Sequence, residues 1–165
     1  QAIKVANRLA QHGLVFVEKR GSSKLYRFNR AHLIADAIVD LVRLHSRLRA
    51  RLAERIGQWP VPPLHVSIFG SGARGDGNTS SDLEILVVRP ESVSASDIQW
   101  QLQLADTADW GKILTGNDVV WFQMTPTEIQ QAAANSESTA REWLRDGFRL
   151  FGVGLNDIVR QPEGP

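Results

Sequence analysis

The sequence predicts an α/β (α+β) protein in which short apolar strands alternate with helices. Two observations predict this class, and a third predicts how the chain is divided. Runs of β-branched and aromatic residues with the length of a strand occur at 66–69, 82–88 and 118–124. Helical periodicity fills the segments around them. Three prolines between residues 60 and 63 stop any helix, so we expect two modules, residues 1–57 and 58–165.

The composition of the 165-residue chain is that of a globular protein, with 42% hydrophobic and 22% charged residues. It contains no cysteine, which excludes a disulfide framework and a thiolate zinc site. Its four histidines do not have the spacing of metal ligands. No apolar run is long enough to cross a bilayer. We therefore expect a cytoplasmic protein without a membrane partner.

The formal net charge of +1 is divided unevenly between the two modules. Residues 1–57 contain 12 Lys/Arg and 4 Asp/Glu, whereas residues 58–165 contain 7 and 14. Modules of opposite charge are expected to have different partners. The basic module predicts a polyanionic partner.

The most informative segment is an acidic pair that follows a glycine-serine turn. The apolar run Val66–Phe69 ends at Gly70-Ser71, and ten residues later Asp82-Leu83-Glu84 opens a second apolar run. On a strand, Asp82 and Glu84 leave the same face, where two carboxylates repel each other unless a cation neutralises them. Mg²⁺ is such a cation, and it takes its other ligands from phosphates and water. The alternative is a surface turn with solvated acids.

This pattern resembles the signature of the nucleotidyltransferase superfamily that includes DNA polymerase beta. It is most similar to the minimal, kanamycin-nucleotidyltransferase-like branch, in which Ser-Asp precedes the second strand as Ser81-Asp82 does here. The resemblance implies a mixed sheet with flanking helices. It also implies transfer of a nucleoside monophosphate from a nucleoside triphosphate, with ATP as the expected donor, to a hydroxyl acceptor.

The same resemblance assigns roles to individual residues. Gly70 and Ser71 would hold the triphosphate, and Arg74 would add positive charge beside it. Asp82 and Glu84 would bind Mg²⁺ or Mn²⁺. Glu84 departs from the family pattern, in which the second acid is more often Asp.

A third acid is expected from the segment NDVVWFQMTPTEI, residues 117–129. In the family, a third carboxylate stands at the start of a neighbouring strand, shortly before a Thr-Pro-x-Glu helix opening. Asp118 matches that position, and the resemblance implies that it accepts the proton of the attacking hydroxyl or binds the second metal ion. The alternative is that Asp118 caps or solvates a turn.

The N-terminal module resembles the back half of a winged helix-turn-helix domain, with a helix up to His12 followed by a basic hairpin. The resemblance implies a recognition helix and a wing that contact DNA. The implied contacts are Lys4, Asn7, Arg8 and Gln11 in the major groove, and Lys19, Arg20 and Lys24 on phosphates. The alternative is a solvated basic helix and hairpin that only pack on the other module.

A long helical pattern from Ala31 to Ile56 follows, with an apolar stripe that includes Leu41 and Leu52. Five arginines decorate it, and we expect a connecting helix with solvated arginines. The alternatives are a homodimer interface or a nucleic-acid contact.

A capping box at Thr125-Pro126-Thr127-Glu128 predicts a helix over roughly Pro126 to Ala134. Two further helices are expected in the second module. One is capped by Ser94 or Ser96 and runs to about Trp110, with an apolar stripe of Ile98, Leu102 and Ala105. The other, Ser138 to Arg149, has Trp143, Leu144 and Phe148 inward and leads into a closing strand.

Two other functions fit the same sequence. One is a winged-helix transcriptional regulator whose nucleotidyltransferase module senses a nucleotide or is inactive. The other is a component of a toxin–antitoxin pair.

Overall fold

The computed structural model describes residues 2–74 and 81–160. The chain forms two compact units, residues 1–47 and 48–165. The predicted architecture, a mixed α/β fold with a mixed sheet and flanking helices, is confirmed.

The first unit contains a helix, a hairpin and a second helix. These elements are α1 (Ala2–Gln11), β1 (Val15–Arg20), β2 (Ser23–Phe28) and α2 (Ala35–Val42). The strands pair antiparallel, and Arg20 lies opposite Ser23 across a two-residue turn. Gly21 in this turn has φ +61°, a left-handed conformation that favours glycine. The predicted helix and hairpin are therefore present, and their identification as part of a winged helix stays a prediction.

The first unit buries little of its apolar surface. Of residues 2–47, only Ala35 is buried, whereas Leu33 and Leu41 are 96% and 64% exposed. Polar bonds connect its elements: the Tyr26 hydroxyl donates to Asn7 Oδ1 at 2.9 Å, and Asn29 Nδ2 donates to the Gly13 carbonyl at 2.8 Å.

The helix predicted from Ala31 to Ile56 is not continuous. It begins at Ala35 and is interrupted at Arg43, after which α3 (Leu44–Ile56) follows. Side chains form hydrogen bonds with the backbone near both of these points. The Asn29 side chain accepts from the Ala31 N–H at 3.1 Å, and the Ser46 hydroxyl donates to the Arg43 carbonyl at 2.8 Å.

The second unit is built on a four-stranded sheet with the order β5-β4-β3-β6. Its elements after α3 are β3 (His65–Ile68), α4 (Gly70–Arg74), β4 (Leu83–Val88), α5 (Ile98–Thr115), β5 (Val119–Met124), α6 (Pro126–Ala134), α7 (Ser138–Asp146), β6 (Phe148–Gly152) and α8 (Leu155–Arg160). Strands β4 and β5 are parallel, and β3 is antiparallel to both β4 and β6. The sheet is therefore mixed.

Apolar side chains fill both faces of this sheet, because those of β4 alternate between two cores. Ile85 and Val87 pack with Leu52 of α3 and Trp100 of α5. The next core, on the opposite face, contains Leu86 and Val88 of β4 and residues of α6, α7 and α8. Helices thus cover both faces, which explains why β4 is apolar throughout after its second residue.

Helix α5 differs from its prediction at both ends and in its packing face. Its N-cap is Asp97, whose side chain accepts from the Trp100 N–H at 2.8 Å, and it extends to Thr115. Ile98 and Leu102 of the expected apolar stripe are 77% and 58% exposed. The large Trp100 ring is fully buried instead. The face of α5 that packs on the core is therefore the one that carries Trp100, not the one that carries Ile98 and Leu102.

The remaining helices agree more closely with the sequence. Thr125 and Glu128 form the predicted capping box of α6. Trp143 of α7 is buried as expected, but α7 ends at Asp146, and Phe148 lies in β6 with 45% exposure, so its predicted inward position is wrong. Among the helices of residues 2–74 and 81–160, none is long and apolar enough to span a membrane.

Candidate active site

The end of β3 and the start of β4 bring the glycine-serine turn against the first half of the acidic strand. The Phe69 N–H donates to the Glu84 carbonyl at 3.0 Å, so Gly70 lies beside Glu84. Gly70 has φ +60°, and a β-carbon there would collide with the Glu84 carboxylate. The left-handed backbone conformation favours glycine at this position, and the Glu84 carboxylate occupies the space that a side chain would fill.

The two predicted acids occupy different positions relative to the strand. Strand β4 begins at Leu83, so Asp82 directly precedes it and is exposed, whereas Glu84 lies within it and is partly buried. Glu84 alternates with Leu83 and Ile85 and therefore points to the face covered by α6, α7 and α8. Asp82 is two positions before Glu84, the spacing that the predicted metal pair requires on an extended chain.

The third predicted acid lies at the same end of the sheet. Asp118 directly precedes β5, and its carbonyl accepts from the Leu83 N–H at 2.8 Å. The adjacent Asn117 Nδ2 donates to the Ser81 carbonyl at 2.5 Å. These bonds join the starts of the parallel strands β4 and β5, so Asp82 and Asp118 precede neighbouring strands.

Asp118 is engaged by a lysine that sequence reasoning missed. Lys112 Nζ, on the last turns of α5, lies 2.6 Å from Asp118 Oδ1. This bond raises the pKa of the Lys112 ammonium above its ordinary value. In the part of the chain that the structure describes, no three His, Cys, Asp or Glu side chains form a group that could hold a metal ion. Asp118 is therefore paired with a cation rather than gathered with Asp82 and Glu84.

Helix α4 carries the predicted triphosphate-binding residues Gly70 and Ser71. A second side chain that the sequence did not single out, Arg49 of α3, donates through Nη2 to the Ala73 carbonyl of this helix. The Arg49 guanidinium also lies over the Phe148 ring, with Cζ 4.0 Å from the ring centroid. Contacts so distant in the chain leave no local sequence signal. The side chain of Arg74 lies outside the described part of the molecule.

The residues predicted to contact DNA all lie in the first unit. Lys4, Arg8, Gln11, Lys19, Arg20 and Lys24 are exposed. Asn7 is partly buried and accepts the hydrogen bond from Tyr26, and Arg20 Nε is paired with Glu18 at 3.0 Å. Two of the predicted contacts are thus already engaged within the unit.

A buried histidine lies on β3, outside the predicted site. His65 Nδ1 bonds to the Val153 carbonyl at 2.7 Å, and burial is the main reason that the pKa of His65 is lowered. Its Nε2 atom is buried, as is the hydroxyl of Ser67, and neither has a hydrogen-bond partner among the described residues. Burial therefore favours the neutral imidazole over its charged form.

A cleft of about 320 Å³ opens between the end of α3 and α5. Trp59, Gln103, Asp106 and Thr107 are among its lining residues. Trp59 belongs to the core on the face opposite Glu84. The cleft is therefore separate from the acidic residues.

Solved structures that resemble the chain include a mutant of the toxin–antitoxin MntA–HpeT and a toxin–antitoxin with AMP-PNP. Each is 18% identical over 67% of this chain and 80% of the other, with TM-scores of 0.44 and 0.42. A candidate nucleotidyltransferase from Sulfolobus solfataricus is 18% identical over 68% of this chain and 84% of the other, with a TM-score of 0.38. No protein-family model and no curated protein matches the chain. These are likenesses only, and the residues of the chain itself carry the functional argument.

Proposed function

We propose that the chain transfers a nucleoside monophosphate from a nucleoside triphosphate, with ATP as the expected donor, to a hydroxyl acceptor. The observation that carries this proposal is the approach of the Glu84 carboxylate to Gly70 at the start of α4. That approach unites the two halves of the sequence motif, the turn for the phosphates and the strand for the acids.

The acidic pair fits Mg²⁺ or Mn²⁺ better than any softer metal ion. Carboxylate oxygens are hard ligands, and the sequence contains no cysteine that could offer a soft thiolate. Mg²⁺ commonly binds one or two protein carboxylates and completes its shell with substrate phosphates and water. Asp82 and Glu84 would hold the ion, which when bound draws charge from the phosphates.

The residues of the chain then divide the remaining work. Gly70 and Ser71 bind the β- and γ-phosphates, and Arg74 adds positive charge beside them. The acceptor oxygen bonds to the α-phosphorus as the bond to the departing pyrophosphate breaks. Asp118 takes the proton of the acceptor hydroxyl, which requires that Lys112 first release its carboxylate.

The first unit supplies a second part of the proposal, contact with DNA. Its exposed lysines and arginines on α1 and the hairpin supply positive charge for phosphates. Lys4, Arg8 and Gln11 would face the groove, and Lys19 and Lys24 would meet the backbone. Asn7 and Arg20 would join them after giving up their present partners.

Label transfer from α-labelled ATP with Mg²⁺, using a protein and RNA extract as the source of acceptors, tests the enzyme. Asp82→Asn is expected to lower the transfer by at least about 100-fold, because it removes one charged ligand without changing the shape. Asp36→Asn is the matched control, since Asp36 is exposed on α2 of the first unit. Equal transfer by the Asp82→Asn variant and the wild-type protein would refute the assignment of the acid.

The regulator reading predicts a different result. It predicts binding of ATP with Mg²⁺ in calorimetry, salt-sensitive binding to DNA, and no transfer to any acceptor. The opposite pattern, transfer that depends on Asp82, favours the enzyme. Asp118, already paired with Lys112, is the observation that keeps the inactive alternative in view.

A further inference from the structure

The short helix α4 is too short to be stable without contacts to the rest of the second unit. It has five residues, Gly70–Arg74, and two of them are glycine. A helix of this length is unstable by itself, because nucleation is unfavourable and glycine adds backbone entropy to be lost. The geometry of the proposed triphosphate-binding turn must therefore come from contacts with the rest of the second unit.

Contacts with the sheet limit how α4 can move towards it. A β-carbon on Gly72 would lie 2.9 Å from Ile68 Cδ1, so the helix rests closely on β3 at this point. Glu84 approaches Gly70 in the same way. Both contacts prevent closer approach, but neither is a bond that keeps the helix from moving away.

Arg49 supplies a directional bond to the same helix. Its Nη2 atom donates to the carbonyl of Ala73, which belongs to the last turn of α4. The final carbonyls of a helix lack partners within it, and a cation is favourable there. Arg49 therefore ties α4 to α3.

The guanidinium of Arg49 is itself fixed by Phe148. Cζ lies 4.0 Å from the centroid of the ring, a cation–π distance, and Nε is buried without a hydrogen-bond partner among the described residues. Phe148 pairs in register with Ile68, the β3 residue on which Gly72 rests. The partly exposed aromatic ring thus has a role, as a platform for the arginine beside α4.

We propose that Arg49, held on Phe148, is a positioning residue for the nucleotide: it fixes α4 so that Gly70 and Ser71 meet the triphosphate. This inference rests on the proposed function, because it assigns Arg49 a role through the same turn. Its expected signature is kinetic. Gly70 and Ser71 bind phosphates in the ground state and in the transition state alike, so a displaced α4 raises KM for ATP more than it lowers kcat.

Four variants test this role in the full-length chain. Arg49→Met removes the charge and the donor, and Phe148→Leu removes the ring that holds the guanidinium. Arg49→Lys keeps the charge and one donor, so it is expected to rescue binding in part. Arg51→Met is the matched control, because Arg51 is exposed on the same helix.

Two measurements are needed, KM and kcat in the label-transfer assay and hydrogen exchange of the peptide that contains residues 70–74. Arg49→Met and Phe148→Leu are expected to raise KM by about 10-fold and to speed exchange in this peptide, whereas Arg51→Met changes neither. Unfolding midpoints identify any variant that is globally destabilised. If Arg49→Met is such a variant, the KM of Arg49→Lys is used in its place: partial rescue supports the positioning role, and a KM equal to that of Arg49→Met contradicts it.

The outcomes separate this inference from the function on which it rests. If Arg49→Met and Arg51→Met have the same KM and the same exchange, the positioning role is overturned and the enzyme assignment stands. If the wild-type chain neither binds nor uses ATP, the proposed function is overturned, and the role of Arg49 falls with it. A raised KM with partial rescue by lysine supports both.

Discussion

The two compact units of this chain have similar apolar sequence patterns but bury their apolar side chains to very different extents. The second unit buries apolar side chains on both faces of its sheet. In the first unit, residues 2–47 bury only Ala35, and polar bonds such as that from Tyr26 to Asn7 connect the elements. The comparison teaches that hydrophobic periodicity predicts where a helix forms, but burial depends on whether the rest of the unit offers a large enough apolar surface, as the four-stranded sheet does and the two-stranded one does not.

Leu41 and Leu52 show the same difference in burial within a single sequence pattern. Both belong to the apolar stripe predicted over residues 31–56, yet Leu41 is 64% exposed and Leu52 is fully buried. Leu52 packs against the sheet of the second unit, and Leu41 lies on α2 of the first. Identical substitutions at these positions therefore measure the difference between the units.

The largest effect is expected from Leu52→Ala. Loss of a fully buried leucine leaves a cavity, and we expect the free energy of unfolding to fall by about 2–5 kcal/mol. Leu41→Ala, in another helix, is expected to change it by no more than about 0.5 kcal/mol. Urea unfolding of the full chain measures both, followed by tryptophan fluorescence and circular dichroism. All five tryptophans lie in the second unit, so fluorescence reports that unit alone.

A large cost for Leu41→Ala would break the comparison. It would mean that the exposed leucine of α2 is covered in solution, as in the homodimer that the sequence leaves open. Size-exclusion chromatography coupled to light scattering then distinguishes a lost dimer from a destabilised monomer.

The second effect is a pH dependence confined to the second unit. His65 is its single histidine, since the other three are His12, His32 and His45. Because burial lowers the pKa of His65 in the folded state, the unfolded chain takes up the proton first as the pH falls. The free energy of unfolding is therefore unaffected by protonation of this histidine above the unfolded pKa of about 6.5. It decreases as the pH falls from that value towards the folded pKa, because protonation then favours the unfolded chain.

Thermal unfolding monitored by tryptophan fluorescence between neutral and mildly acidic pH measures this loss. His65→Gln is expected to lower the midpoint at neutral pH and to flatten its pH dependence in that window. His45→Gln is the control, because His45 is exposed in the first unit. An unchanged slope in the His65→Gln variant would show that other groups cause the acid sensitivity.

What the sequence predicts well in this chain is what local chemistry determines. The capping box of Thr125 and Glu128 depends only on two residues three positions apart, and the glycine-serine turn depends only on the end of the strand before it. The inward position predicted for Phe148 is wrong because the residue lies in β6 and not in α7, and its contact Arg49 is ninety-nine positions away in the chain. The pairing of Lys112 with Asp118 likewise depends on how α5 turns back into β5. Local patterns therefore located the candidate acids, but not the cations that contact them or their surroundings.

The smallest expected effect concerns the basic hairpin of the first unit. Lys24 is exposed at the start of β2, and a lysine that contacts a DNA phosphate contributes about one unit to the slope of log affinity against log salt. Lys24→Ala is therefore expected to reduce that slope by about one for a short duplex of mixed sequence, measured by fluorescence anisotropy. Arg20→Ala should have less effect, because its guanidinium is already paired with Glu18.

Arg141→Ala provides the comparison with the second unit, since Arg141 is exposed on α7. If the slope responds to Lys24 and not to Arg141, phosphate contact belongs to the unit without a core. In that case the exposure of its basic side chains has a function. If neither substitution changes the slope, or if both change it equally, binding is diffuse and the winged-helix interpretation loses its support. The difference between the units would then lie in packing alone.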